Sequence, residues 1–237
     1  MASKDFSPIK QQLALAMQCK DEASFDDFCW TGNELLRHQI LCSLPEKKEL
    51  FFYIWGNSGS GKSHLLQAIC RSVKPEHTAA YLPLDLLKEW DPAVLEGMAE
   101  HAVVAIDDID QIAGQSGWEE ALFHLYNQLQ AHHHTLVVSA QLPPGVVPLQ
   151  LADLRSRLTH ALILQMQELS DENKINTLQD YAKKRGLELP NAVGHFILSR
   201  CARNMHDLQA VLDRLDHASL VAQRKLTVPF VKDVLGI

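Results

Sequence analysis

Hydrophobic and polar positions along this chain fall into two regimes. From Phe25 to Ser139, short apolar runs rich in β-branched and small residues alternate with stretches of helical period. Such alternation predicts a parallel sheet covered by helices on both faces. The expected strands are Leu50–Trp55, Thr78–Leu82, Ala102–Ile106, Thr135–Ser139 and Ala161–Gln165. Between the third and fourth, Trp118, Ala121, Leu122, Leu125 and Leu129 recur at helical spacing and predict an amphipathic helix. After Gln167 the strand pattern stops. Ser170 before Asp171 and Glu172 reads as a cap and first turn, and Gly186 as a stop. A second helix is expected from Asn191 towards Cys201. A third carries Met205, Leu208, Leu212 and Leu215 on one face and runs to about Arg224, and a last short one follows Thr227-Val228-Pro229. The organisation expected is a tail over 1–24, an α/β domain over 25–167 and a small all-helical domain over 168–237.

One junction in the first regime carries chemistry. Gly56-Asn57-Ser58-Gly59-Ser60-Gly61-Lys62-Ser63 follows the first expected strand directly and precedes the helix-like His64–Ile69. It matches the phosphate-loop pattern G-x-x-x-x-G-K-[ST] in the context which that pattern requires. Glycines let the backbone aim successive N–H groups inward, making an anion nest at the positive end of a helix dipole. Lys62 is expected to reach the β- and γ-phosphates, and the Ser63 hydroxyl to help hold Mg²⁺. The expected ligand is a nucleoside di- or triphosphate, bound by Ser58, Gly59, Ser60, Gly61, Lys62, Ser63 and His64. Roughly 45 residues further on, Ala102–Ile106 ends in Asp107-Asp108, and open α/β sheets place ligands at that end of their strands. Asp107 is expected to hold Mg²⁺ and Asp108 to orient or activate water, with Asp110 a solvated loop or capping residue.

Composition narrows the partners. The 237 residues carry a net charge of −7, which argues against a protein that grips nucleic acid by itself; DNA would be reached weakly or indirectly. The longest apolar run is far short of a membrane span, and Lys4, Asp5 and Lys10 interrupt any secretory leader. Cys19, Cys29, Cys42, Cys70 and Cys201 are odd in number and scattered, as expected of free thiols in a reducing cytoplasm. Three adjacent histidines, His132-His133-His134, cannot all face one ion from a regular element and read as a loop.

The order of these features resembles the AAA+ ATPases of the DnaA clade, and within it the Hda family of DnaA-homologous regulators of replication initiation. The resemblance covers almost the whole chain. Its more specific parts are Gly97-Met98, Ala105–Ile109, Ile112-Ala113-Gly114, Trp118-Glu119, Leu125-Tyr126-Asn127, Asp153–Leu158, Leu169–Lys174 and Ala222–Lys232. It implies a three-layer α/β/α P-loop NTPase domain with a five-stranded parallel sheet, followed by a helical lid. A helix-turn-helix domain such as DnaA carries beyond its lid is not expected here, in keeping with the acidic charge.

The resemblance also gives the tail a meaning. Gln12, Leu13, Leu15 and Met17 look like the peptide with which Hda proteins bind the β sliding clamp of DNA polymerase III: apolar side chains fill a groove and the Gln12 amide satisfies its rim. Arg157, in Asp153-Leu154-Arg155-Ser156-Arg157-Leu158, matches the family's arginine finger, with Arg155 the less favoured candidate. The implied partner is ATP-bound DnaA, whose hydrolysis switches initiation off, with ADP or ATP and Mg²⁺ as this chain's own ligands. A homo-oligomer is a further implied assembly.

Two places depart from the family pattern. A polar Asp-Arg pair that senses the γ-phosphate is replaced by Ser139-Ala140-Gln141, of which Ser139 or Gln141 could still bond a water or phosphate. The lid arginine is replaced by His206, for which Arg203 is a possible substitute. Both changes predict slow intrinsic hydrolysis with diphosphate binding intact. Phe25, Phe28 and Trp30 offer either a base-stacking surface or ordinary core, with Phe28 taken as the base contact. Competing readings are an autonomous AAA+ motor acting on DNA, a helicase loader of the same clade, and a small-molecule kinase.

Overall fold

The computed structural model describes residues 23–46, 50–201 and 204–237. The candidate clamp peptide and Arg203 lie outside them, as does the side chain of His206. In chain order the elements are α1 (Glu34–Glu46), β1 (Phe51–Trp55), α2 (Lys62–Arg71), β2 (Ala79–Pro83), α3 (Leu84–Leu87), β3 (Val103–Asp107), α4 (Ser116–His132), β4 (Thr135–Ala140), α5 (Ala152–Thr159) and β5 (Leu162–Gln165). Four further helices follow: α6 (Asp171–Lys184), α7 (Asn191–Arg200), α8 (Met205–Ala222) and α9 (Val228–Leu235). Short 3₁₀ turns link β2 to β3 and β3 to α4. Two compact units result. One is built on residues 62–166 together with the segment carrying β1; the other on residues 167–237, with the stretches 29–32 and 58–61 grouped with it.

All five strands form where the apolar runs are. They pair in parallel in the order β2-β3-β4-β1-β5. Four of them start one residue later than the apolar pattern suggests, and β2, β3 and β4 end one residue later. The reason is local. Leu50 and Thr78 lend a carbonyl to the ladder, accepting from Leu136 and Ala102, while Ala102 both donates to Thr78 and accepts from Thr135. β3 and β4 are buried along their whole length, so their apolar residues run together instead of alternating, with Asp107, Thr135 and Ser139 as the polar exceptions. On α4, Trp118, Leu122, Leu125 and Leu129 face the core beside Tyr53, Val104, Ile106 and Leu136. Each such buried side chain contributes about 1.5–3 kcal/mol relative to exposure.

The helical unit has a separate core of Ile175, Leu178, Val193, Ile197, Leu208, Leu212, Leu215, Phe230 and Val231. Three of its four helices start where a side chain caps them, and α7 starts after Pro190. The Ser170 hydroxyl accepts from the Asn173 amide, Asn204 from Asp207 and Thr227 from Phe230. Gly186 ends α6 with φ +75, as its place in the sequence suggests. Gly194 sets the spacing of α6 and α7: a Cβ there would come within 2.9 Å of Ile175 Cγ2.

Candidate functional site

The strand order decides where the chemistry gathers. Because β4 lies between β3 and β1, and all three run the same way, Gly56, Asp107 and Ala140 emerge side by side at one edge. Gly59 and Gly61 take φ values of +77 and +103, a region that costs other L-residues about 1–2 kcal/mol. Lys62 opens α2, and its buried ammonium donates to the carbonyls of Gly56 at 2.8 Å and Asn57 at 3.0 Å. Burial pulls its pKa down, opposed by Asp108, Asp107 and Asp110. Ser63 is exposed in the first turn of the same helix. The Ser60 hydroxyl is buried with no hydrogen-bond partner among the described residues. His64 meets the edge of the Phe28 ring at 5.6 Å. Phe25, Phe28 and Trp30 are all only partly buried.

The acidic half of the site is held by hydroxyl groups. Asp107 is buried; its Oδ2 accepts from the Tyr81 hydroxyl at 2.6 Å and its Oδ1 from the Ser139 hydroxyl. Burial and the neighbouring Asp107 push the Tyr81 phenol well above its usual range, against a smaller opposing effect of Gln67 and Ser63. Asp108 sits in the left-handed region at φ 57 and ψ 57, and its N–H donates to Ser139 Oγ at 2.8 Å. Burial first, then the charge on Asp107, lift its carboxyl to about 6 against the pull of Lys62. Asp110 Oδ2 accepts from the Gln141 amide at 2.8 Å.

Two expectations change here. Ser139 is not left to bond a phosphate, because its single proton goes to Asp107 and its oxygen takes the Asp108 N–H. Asp110, expected to be a solvated loop or capping residue, accepts a backbone amide from a distant segment and so ties the turn after β3 to the end of β4. Tyr81 went unnoticed in the sequence. The available signal was a lone hydroxyl-bearing side chain in an otherwise apolar strand.

Arg157 lies elsewhere. It is exposed on α5, with its guanidinium carbon 5.6 Å from the centre of the Tyr126 ring. Tyr126 in turn stacks on Phe51, with centroids 4.2 Å apart and planes at 19°. Phe51 is the first residue of β1, whereas the glycine loop follows the last. Five residues of extended chain put about 17 Å between those ends. The aromatic shelf borders a cavity of about 660 Å³ that Gln130, Asp153, Arg157 and His160 also line. Arg155 instead donates to the Leu149 carbonyl at 3.4 Å. His132 and His134 turn Nδ1 towards the Ala99 carbonyl, and His133 ends α4 in the left-handed region.

Known proteins share this fold. The model of the bacterial DnaA ATPase domain matches residues 91–165, and that of the Hda lid domain matches residues 171–235. An uncharacterised protein of Haemophilus influenzae is 40% identical over 231 residues, covering 97% of this chain and 100% of that one. The chain belongs to the Hda-like family of DnaA-homologous AAA+ proteins. Solved structures agree on the fold. Domain III of the Thermotoga maritima replication initiation protein DnaA matches with a TM-score of 0.78 at 20% identity, over 92% of this chain and 98% of that one. AMPPCP-bound DnaA from Aquifex aeolicus gives 0.68 at 19% identity, over 82% and 65%. The Thermotoga maritima RuvB Holliday junction branch migration motor gives 0.65 at 18% identity, over 90% and 71%. A DnaA-type ATPase domain followed by an Hda-type lid is therefore the architecture of this family member. No helix among its described residues is long and apolar enough to cross a membrane.

Proposed function

We propose that this protein is a nucleotide-held cytoplasmic regulator that presents Arg157 to the ATP bound by DnaA, accelerates its hydrolysis and so switches initiation off. The observation that carries the reading is the placement of Arg157 at the opposite end of β1 from its own phosphate loop. A guanidinium so placed serves a nucleotide held by another molecule, as an arginine finger supplied in trans does. The cavity beside it, lined by both aromatic and polar groups, offers that neighbour a seat.

On this reading ADP or ATP occupies the chain's own loop. The amides of Ser58–Ser63 and Lys62 bind the phosphates, and the orphaned Ser60 hydroxyl is a donor that a phosphate oxygen would satisfy. Ser63 and Asp107 are oxygen donors of the kind Mg²⁺ prefers, and the Tyr81 hydroxyl holds Asp107 in place. The ion, when bound, would neutralise phosphate charge; Asp108 would orient a water. Intrinsic turnover is slow, because Ser139 is engaged with Asp107 and histidine stands at the lid arginine position. ADP is the activating ligand. The tail residues Gln12, Leu13, Leu15 and Met17 tether the protein to the β sliding clamp, and DNA is reached through that clamp.

The test is a reconstitution with purified clamp, DNA and ATP-loaded DnaA. Arg157→Ala should lower the stimulated hydrolysis rate about 10³-fold while nucleotide and clamp affinities stay unchanged. Gln12→Ala with Leu13→Ala should remove clamp binding alone. Full stimulation by the Arg157 variant would overturn the reading.

A further inference from the structure

Helix α4 carries one residue at odds with its surroundings. Glu119 is only 1% exposed, on a helix whose neighbouring buried positions are Trp118, Leu122 and Leu125. A carboxylate there must be satisfied by donors. It has three, all main-chain amides: Oε1 accepts from Gly114 at 2.7 Å and Gln150 at 3.1 Å, and Oε2 from Leu151 at 2.6 Å. These amides come from two separate stretches of chain. Gly114 ends the turn that begins at Asp108, and Leu151 is the residue from which α5 starts. The two stretches also lie close together. Gly114 holds φ +85, and a Cβ on it would stand 3.5 Å from Gln150 Nε2.

The turn that Gly114 closes is itself tied to the acidic edge of the nucleotide site. Asp108 bonds Ser139, Asp110 bonds the Gln141 amide, and Ile109 and Ile112 are buried in the core. An unbroken path of short polar contacts and packed residues thus runs from Asp107 and Asp108 through the turn to Glu119, and from Glu119 to the start of the helix bearing Arg157. Packed paths of this kind transmit displacement because close-packed interiors do not deform smoothly.

We infer that Glu119 is a positioning residue which fixes the start of α5 to the acidic turn, so that the nucleotide held at the loop sets how Arg157 is presented. The inference rests on the trans-acting reading of Arg157 for its consequence, but its mechanical part concerns this chain alone. Glu119 touches neither the nucleotide loop nor Arg157. Glu119→Gln keeps the volume and replaces one acceptor oxygen by an NH₂ group, which must then face an N–H. Leu151→Pro removes one of the three donors at a backbone φ of −73, which proline adopts.

Hydrogen exchange on the protein alone, with and without saturating ADP, reads the mechanical part. In the wild type, ADP should slow exchange at Gly114 and across residues 150–159 together. In both variants the protection at 150–159 should fall about tenfold and no longer respond to ADP, with ADP affinity within about twofold of wild type. In the DnaA assay the maximal stimulated rate should drop about tenfold, with the half-saturating concentration little changed. An ADP response at 150–159 that survives in both folded variants, or that is missing from the wild type, overturns the inference. An exchange pattern as expected, without any stimulation of DnaA by the wild type, would sink the proposed function and leave Glu119 in its role. Should Glu119→Gln fail to fold, Leu151→Pro decides by the same readout.

Discussion

The two ends of β1 are built on opposite principles. Its C-terminal end gathers a buried ammonium, two left-handed glycines and three carboxylates, held by main-chain carbonyls and by the hydroxyls of Tyr81 and Ser139. Its N-terminal end is an aromatic stack, Phe51 on Tyr126, with one exposed guanidinium above it. The first holds Lys62 and Asp107 buried and hydrogen-bonded; the second presents a charge outward on an apolar base. An end that binds must desolvate its groups in advance, whereas an end that acts on a neighbour keeps its cation in water until the partner arrives.

Lys62→Ala is the strongest way to break this contrast. It should weaken ADP binding by about 100-fold or more in calorimetry, while the Arg157 end keeps its fold. Next comes Tyr126→Leu, which removes the shelf. Stimulation should fall about tenfold and stability by about 1–3 kcal/mol in urea denaturation, with ADP affinity unchanged, and Tyr126→Phe should restore most of both. A smaller effect sharpens the electrostatic side. The Asp108 carboxyl is raised from 3.8 to about 6, so the folded state binds its proton more tightly than the unfolded chain does. Stability is therefore lost as pH rises from about 4 to 6 and stays lower above that. Asp108→Asn keeps a residue that tolerates the left-handed backbone and should stabilise the protein by about 1 kcal/mol near pH 7.5, after allowance for its partial solvent access. Near pH 3 the gain should vanish in thermal denaturation.

Much of this was legible in the order of residues. The five strands follow from short apolar runs, the amphipathic stripe of α4 from a period of 3.6 residues, and the Ser170 cap and the Gly186 stop from local backbone chemistry. The glycine loop was equally plain, because a loop that cradles phosphate needs its glycines, lysine and hydroxyl contiguous. Local rules act over a few residues, and a single chain displays them directly.

What the chain could not display is anything set by which strands become neighbours. Strand order is decided by long-range packing, and it is strand order that puts Ser139 beside Asp107 and both beside the loop. Tyr81, roughly 26 residues before its carboxylate partner, and Glu119, about 31 before two of the amides it holds, have roles that exist only once the sheet has closed around them. Arg157 was visible as a motif, yet its distance from its own phosphate loop came from the length of a folded strand. The sequence determined the elements and the phosphate-binding chemistry. Tertiary structure alone decided which charges share a desolvated space and which are turned outward, because burial and proximity arise from the packing of segments far apart in the chain.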